Sequence, residues 1–346
     1  MVNAEAMDVA GALAALTEGQ RLTEAEAETL MDRIMEGAAT PVQIAGILIA
    51  LRMRGETVEE LTGFARAMRR HAAPVAVQRR PVIDTCGTGG DRSFTFNVST
   101  VAALVAAGAG VTVAKHGNRS ASSRSGSADL LESLGVNLAL PPAVMGELVD
   151  EVGFGFLFAQ NVHTSMRYAA GPRRELGVRT VFNILGPLTN PVAPEMQLLG
   201  VFAADWVEPL AEVLRRLGTR RAMVVHGAGG LDEVSLAGPT RYALVDGDQV
   251  RSGELTPEDL GLPRYPVEAM RGGDPAANAA ICRRVLAGEA GPHLDMVLAN
   301  AGVALFVAGA AADPREGVEL ARASIAGGRA RTVLDRLVER SQAAAR

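Results

Sequence analysis

The sequence predicts an α/β protein: a small all-helical N-terminal domain, then a larger α/β domain with a central, largely parallel sheet flanked by helices. Three observations carry this. The first 72 residues follow helix periodicity, and three of their helices open on the same capping signal. Near Ala73-Pro74 the pattern changes to short apolar runs that end in glycine turns. From there strands and helices alternate, as they do when parallel strands are joined by helical crossovers. A chain of 346 residues is long enough for two domains.

The capping signal is a threonine with an acid or amide three residues on. Thr23 is followed by Glu26, Thr40 by Pro41 and Gln43, and Thr57 by Glu60. In the helix after Thr40, Val42, Ile44, Ile47, Leu48 and Leu51 leave little polar face. A helix apolar almost all round must be covered, and a second subunit could be the cover.

Val82-Ile-Asp-Thr-Cys86 reads as a strand, and Gly87-Thr-Gly-Gly-Asp91 as the turn that ends it. Asn97-Val-Ser-Thr100 is expected to cap an alanine-rich helix running to Gly108. The β-branched run from Val111 leads to Ala114 as a buried strand, with Lys115 at its tip. Helices follow at Asp129–Leu134 and Glu147–Val152, and a strand at Phe154–Phe158. The Arg-rich stretch from His163 to Pro191 interrupts the alternation. It then resumes with strand Leu198–Phe202, helix Val207–Leu217 and strand Ala222–Val225. Tyr242–Val245 and Gln249–Arg251 make a hairpin around Asp246-Gly247. Four helices finish the chain; Asp274-Pro275 caps the first, and the almost uncharged second, Leu294–Val307, is expected to be central. The domain division read from this is 1–73, completed by the excursion 163–192, against 74–162 with 193–346.

Composition narrows the function classes. Hydrophobic content of 48% and charged content of 21% are those of a globular chain. A net charge of −5 without a basic run argues against broad nucleic-acid binding but allows a local cationic pocket. Ser93–Ala114 is uncharged and long enough to suggest a membrane span, but Asn97, Ser99, Thr100, Gly108 and Gly110 break it into loop, helix and strand. Cys86 and Cys282 lack metal or disulfide spacing, and the acidic start Met1–Glu5 is no signal peptide. A cytoplasmic protein with buried thiols is expected, and Cys86 is not expected to be a nucleophile.

Three strand ends carry chemistry. Lys115 is the one lysine among 34 Lys and Arg positions. A compact ammonium suits a tight pocket that the planar arginine fork does not. It opens Lys115-His-Gly-Asn-Arg119, followed by Ser120, Ser122, Ser123, Ser125 and Ser127, a loop rich in anion donors. The glycines of Gly87–Asp91 let N–H groups approach an anion, though the motif is neither a Walker loop nor a dinucleotide fingerprint. Asn97–Thr100 begins a helix, where N–H groups and dipole favour phosphate. Asp232-Glu233, in a glycine-rich loop, has the hard oxygens that Mg²⁺ shares with substrate phosphates. Arg173, in the excursion with His163, is of the type that pairs with a substrate carboxylate.

These motifs, with Arg173-Arg-Glu-Leu-Gly-Val-Arg-Thr180, Phe182-Asn-Ile-Leu-Gly-Pro-Leu-Thr-Asn-Pro191 and Gly230-Leu-Asp-Glu-Val-Ser235, resemble the anthranilate phosphoribosyltransferases, in order and over almost the whole chain. One departure is His163-Thr164-Ser165-Met166, where that family usually has Pro after His. The resemblance implies phosphoribosyl transfer from phosphoribosyl pyrophosphate to anthranilate in tryptophan biosynthesis. It implies Mg²⁺, two ions per subunit, a homodimer through the helical domain, and no nucleic-acid or membrane partner. It assigns Gly87, Gly90, Asp91, Thr95, Asn97, Val98, Ser99, Thr100, Lys115, His116, Gly117, Asn118, Arg119, Ser120, Ala121, Ser122, Ser123 and Ser127 to the pyrophosphate donor. Lys115 is the electrostatic group, and no general base is assigned. Gly87, Asn118, His163 and Arg173 go to anthranilate, and Ser99, Asp232 and Glu233 to the metal. Two alternatives share the architecture. A pyrimidine nucleoside phosphorylase would use phosphate as nucleophile, and the acidic pair and Lys-His-Gly-Asn-Arg argue against it. A non-catalytic nucleic-acid-binding relative should show a basic face and degraded motifs, and this chain shows neither.

Overall fold

The computed structural model describes residues 8–90, 93–120 and 124–344. The chain begins with helices α1 (Val9–Thr17), α2 (Glu24–Met35), α3 (Pro41–Arg54) and α4 (Val58–Arg70). All three expected capping boxes form, each satisfying two of the N–H groups that a helix start leaves open. Glu60 does more than cap. Its buried carboxylate also accepts from Leu22 N at 2.9 Å and pairs with Arg54, tying the start of α2 to α4. Gly63 permits the close crossing of α2 and α4, since a Cβ there would lie 2.2 Å from the Glu24 carbonyl. In α3 Ile44, Ile47, Leu48 and Leu51 point inward, while Val42 and Met53 are more than four-fifths exposed in the single chain.

Next come β1 (Val82–Gly87), α5 (Val98–Gly108), β2 (Thr112–Gly117), α6 (Ser127–Ser133), α7 (Pro142–Val152) and β3 (Phe154–Phe158). After α8 (Ala159–Val162) the excursion forms α9 (Arg167–Leu176) and α10 (Phe182–Leu185). It lies on the N-terminal helices: α9 packs on α2 and α3, Tyr168 sits over Gly37, and Arg69 Nε of α4 donates to the Leu188 carbonyl at 2.7 Å. The chain continues through β4 (Met196–Gly200), α11 (Val207–Arg216), β5 (Arg221–Gly227) and the hairpin β6 (Thr240–Asp246) and β7 (Gln249–Leu255). It ends in α12 (Pro275–Leu286), α13 (Pro292–Val307), α14 (Pro314–Ala326) and α15 (Arg329–Ala343).

The strands form one seven-stranded sheet in the order β3-β2-β1-β4-β5-β6-β7. β1 to β5 are parallel, and β6 and β7 add an antiparallel edge. One face is covered by α5, α7 and the C-terminal helices, with α13 almost wholly buried as expected. The other face shares its core with α11 and the N-terminal helices. The uncharged run Ser93–Ala114 resolves into loop, α5 and β2, and no helix among the described residues is long and apolar enough to cross a membrane.

Some expectations need correction. β2 does not end at Ala114. Lys115 pairs with Phe156 and His116 with Leu157 in the ladder to β3, so the polar motif begins inside the strand. Main-chain pairing set that boundary, where side-chain polarity had suggested a tip. β4 similarly starts at Met196 and ends at Gly200. Asn97 stands at the N-cap position of α5 but makes no capping bond; its amide is used elsewhere.

Candidate active site

In an open parallel sheet, ligands bind beyond the carboxyl ends of the strands, where the strand order reverses. Here that place is the end of β1, flanked by β2 and β4. The turn after β1 is pinned from two sides. Thr88 N donates to the Gly200 carbonyl at 2.9 Å, and Gly89 N donates to Asp232 Oδ2 at 2.7 Å. Gly89 and Gly90 both have left-handed φ, of 66° and 77°, which favours glycine. The loop after β5 therefore touches the loop after β1. It also touches the start of α5, because Ser99 N donates to Glu233 Oε1 at 3.2 Å. Glycine, helix-start and acidic motifs meet on one rim.

Lys115 lies just beneath that rim. It is 2% exposed, and its Nζ donates to the Thr85 carbonyl and, at 3.3 Å, to Ser99 Oγ. Burial pulls its pKa down, and the neighbouring Asp84 acts against this. Asp84 on β1 is fully buried and accepts from His116 N at 3.2 Å and Asn190 Nδ2 at 3.0 Å. Burial pushes its pKa up to about 6, with Lys115 opposing. The lone ammonium is thus spent on protein oxygens, and its charge reaches the rim through Ser99.

The loop after β2 folds back on α6. Asn118 Oδ1 accepts from Arg119 N at 2.8 Å, and the Asn118 carbonyl accepts from Ser127 Oγ at 3.3 Å. Asp129 Oδ2 takes both Ser120 N at 3.1 Å and Gly126 N at 2.8 Å. A Cβ on Gly117 would lie 2.3 Å from Ser127 Oγ. The Arg119 guanidinium is bound by Asp129 and Glu132 on α6. At the start of α5, Val98 and Thr100 are buried, while Asn97 and Ser99 stay partly exposed. Thr95 pairs with Arg271 in an isolated bridge beside them. Asp91, Ala121, Ser122 and Ser123 lie outside the described residues.

On the acceptor side, the His163 and His116 rings meet edge to face, centroids 5.0 Å apart. Burial pulls His163 down to about 4 and His116 well below the ordinary range, so both imidazoles are neutral near pH 7. Arg173 stands over the Phe182 ring at 5.0 Å, with no carboxylate partner among the described residues. It shares no hydrogen bond there with Asn118 or Gly87. Gln160 Nε2 reaches Asn118 Oδ1 at 3.5 Å. Cys86 is buried against Gln197, and burial pushes its thiol far up, as suits a core residue and not a nucleophile.

Two family models match the chain: the helical bundle domain of a glycosyl transferase family over residues 10–72, and its a/b domain over 79–331. The anthranilate phosphoribosyltransferase of Moorella thermoacetica is 55% identical over 92% of this chain and 94% of its own. The chain belongs to the anthranilate phosphoribosyltransferase family. The solved family member from Thermus thermophilus superposes with a TM-score of 0.91 at 51% identity, covering 96% of this chain and 99% of that one. The Saccharomyces cerevisiae family member, solved in complex with PRPP and Mg, gives a TM-score of 0.88 at 28% identity, covering 97% of this chain and 98% of that one.

The family fold leaves a donor set here that fits Mg²⁺. Asp232 and Glu233 come from one loop, and no larger cluster of His, Cys, Asp and Glu suited to a metal occurs among the described residues. Mg²⁺ is ordinarily held by one or two carboxylates plus substrate phosphates, so a sparse acidic pair beside N–H groups is the expected arrangement. Sequence reasoning passed over several residues that shape this family site. Arg179 stacks on Phe202 at 4.4 Å and donates to the Gly90 carbonyl, but in sequence it is one arginine among several. Gly200 read only as one residue inside the expected strand Leu198–Phe202, where the structure puts it at the end of β4. Asp84 carried no local signal, because its partners His116 and Asn190 are distant in sequence.

Proposed function

We propose that the protein transfers the phosphoribosyl group of 5-phosphoribosyl 1-pyrophosphate to the amine of anthranilate. The products are N-(5-phosphoribosyl)anthranilate and pyrophosphate, in tryptophan biosynthesis. The observation that carries this reading is the meeting of Asp232 and Glu233 with Gly89 N and Ser99 N. One rim then offers both halves of diphosphate recognition: N–H groups for the anion and carboxylates for its cation.

Pyrophosphate leaves, so the demand is to stabilise developing negative charge at a site prepared in advance. Mg²⁺ on Asp232, Glu233 and Ser99, two ions per subunit, would supply charge neutralisation at the departing oxygens. The chain supplies the rest. Gly87, Gly90 and the start of α5 hold the donor by main-chain groups. The described parts of the loop after β2, Asn118 to Ser120 and Ser125 to Ser127, flank it, and Lys115 contributes field through Ser99. The aryl amine is already a neutral nucleophile, so no general base is needed to begin attack, and the two neutral histidines act as walls. Arg173 holds the anthranilate carboxylate, with Asn118 and His163 beside the ring. Positioning of two substrates supplies much of the rate.

The same reading makes the protein a cytoplasmic homodimer, with the helical domain (residues 1–73 and the excursion 163–192) as the dimerising unit. The exposed Val42 and Met53 on α3 support it, because large apolar side chains left in water favour a cover. The reaction is tested by the loss of anthranilate fluorescence. It should require both phosphoribosyl pyrophosphate and Mg²⁺ and release one pyrophosphate per anthranilate consumed. Fluorescence loss with inorganic phosphate or a nucleoside in place of the donor would point to the phosphorylase instead.

A further inference from the structure

Asn278, in the first turn of α12, is not among the residues assigned to either substrate or to the metal, and it is 2% exposed. Its Oδ1 accepts from Gly273 N at 2.8 Å, and its Nδ2 donates to Asn97 Oδ1 at 3.0 Å. Asn97 Nδ2 in turn donates to the Ser125 carbonyl at 3.0 Å, and Ser125 Oγ returns a bond to Asn97 Oδ1 at 3.2 Å. The directions follow from the ends. Gly273 N–H can only donate and the Ser125 carbonyl can only accept, so the two amides between them have one consistent orientation.

A second observation places the same elements together. Gly272 N donates to the Phe94 carbonyl at 2.9 Å, and Arg271 bridges Thr95. A Cβ on Gly272 would lie 2.5 Å from Asn278 Oδ1 and 2.6 Å from Phe96 Cα. Residues 271–273 are therefore pressed against 94–97, and α12 braces both the start of α5 and the far end of the loop after β2.

We propose that Asn278 is a positioning residue for donor binding: through Asn97 it sets where the Ser125–Ser127 end of the loop stands relative to the start of α5. This rests on the reading of that rim as the donor site. It also gives Asn97 a role as a clamp between two binding segments, where its type and place had suggested a helix cap. An unmade buried hydrogen bond is expensive, so both amides hold their geometry once α12 is docked.

The test uses the full chain with Asn278→Asp, Asn278→Ala, Asn97→Ala and the Asn97→Ala/Asn278→Ala double variant. At pH 8 the carboxylate introduced by Asn278→Asp keeps the amide's shape but donates nothing to Asn97, so this is the sharp variant. Asn278→Ala and Asn97→Ala serve should a buried carboxylate unfold the chain. The donor KM should rise about tenfold, while the anthranilate KM stays within about twofold. The double variant should be no worse than the worse single one, because both residues act through one contact. An unchanged donor KM, an equal rise in both KM values, or additive effects would overturn the proposal. If the wild-type protein releases no pyrophosphate with anthranilate, the reading of the reaction fails separately. The relay is then read from amide hydrogen exchange at Ser125 to Ser127, which should quicken in Asn278→Asp and would refute the relay by staying at the wild-type rate.

Discussion

Ser99 joins a buried cation to an acidic loop: its hydroxyl accepts from Lys115 Nζ at 3.3 Å, while its N–H donates to Glu233 at 3.2 Å. The lysine sits on β2, the serine opens α5, and the glutamate follows β5. One residue therefore links three of the segments around the proposed donor. The positive charge beneath the rim also helps to hold two carboxylates close to an arriving diphosphate.

Lys115→Arg tests that arrangement. The site is packed on all sides, so a larger planar head cannot keep both bonds without displacing neighbours. A hydrogen bond to a charged group contributes about 1.5–3 kcal/mol, so kcat/KM should fall on the order of tenfold to a hundredfold. Overpacking should also lower Tm by several degrees. Steady-state kinetics and a melting curve check both; full activity with wild-type Tm would show that the lone lysine is incidental.

The acidic pair should be needed for chemistry and not for folding. Asp232→Asn with Glu233→Gln keeps shape and most hydrogen-bonding capacity while removing both charges. Activity should drop by about two orders of magnitude or more as charge stabilisation is lost, and the Mg²⁺ concentration needed for half-maximal rate should rise. Far-UV circular dichroism should stay unchanged. Wild-type activity in limiting Mg²⁺ would remove the metal assignment.

Much of this was legible because it is local. Capping boxes span four residues, and Thr23, Thr40 and Thr57 all cap as read. The alternation after Ala73 gave the parallel sheet, and motif order gave the family. What escaped was long-range. Lys115 looked like a strand tip because its side chain is polar, yet pairing with β3 carries the strand through Gly117. Asn97 looked like a cap because its type and place fit, yet Ser125 and Asn278 claim its amide. No periodicity can show that Asp84 meets Asn190, or that Gly200 must yield space to Asp232.

Arg173→Ala should raise the anthranilate KM far more than the donor KM. The guanidinium rests on Phe182 without a carboxylate partner among the described residues, leaving its fork for a substrate carboxylate. Removing a contact to one substrate changes one KM, by about tenfold or more. Equal rises in both would make Arg173 a structural residue.

The buried imidazoles give a signed pH dependence. His163 is held near 4 in the folded protein and titrates at about 6.5 when unfolded. Between those values the unfolded chain binds a proton that the native one does not, so stability falls as pH falls through the window. His116 acts in the same direction. Asp84, raised to about 6, acts in the opposite one, because the native state holds its proton longer. The two histidines outweigh the one aspartate, so Tm should drop from pH 6.5 to 4. His163→Phe keeps a neutral ring and should make that drop shallower in calorimetry; an unaltered pH slope would show that His163 titrates normally.

Gly200→Ala is the most direct test of how the rim is built. β4 is held by β1 on one side and β5 on the other, so it cannot give way. A Cβ on Gly200 would lie 1.6 Å from the Asp232 carbonyl, far inside any tolerated contact. The loop carrying Asp232 and Glu233 must therefore move, and with it the bonds to Gly89 N and Ser99 N. Misplacement of a binding group by about 1 Å can cost about a hundredfold in rate, and that is the expected fall in kcat/KM. The Mg²⁺ requirement should rise with it, since the carboxylates move together. Gly171→Ala on α9 is the control, because apart from its chain neighbours and its own helix backbone nothing lies within 4 Å of its added Cβ. That variant should keep its activity, but Pro172 follows it and disfavours the helical region for a residue with a Cβ, so the stability gain of an ordinary helical glycine-to-alanine change is not expected. Equal activity for Gly200→Ala and Gly171→Ala would mean that the Asp232 loop does not hold the donor.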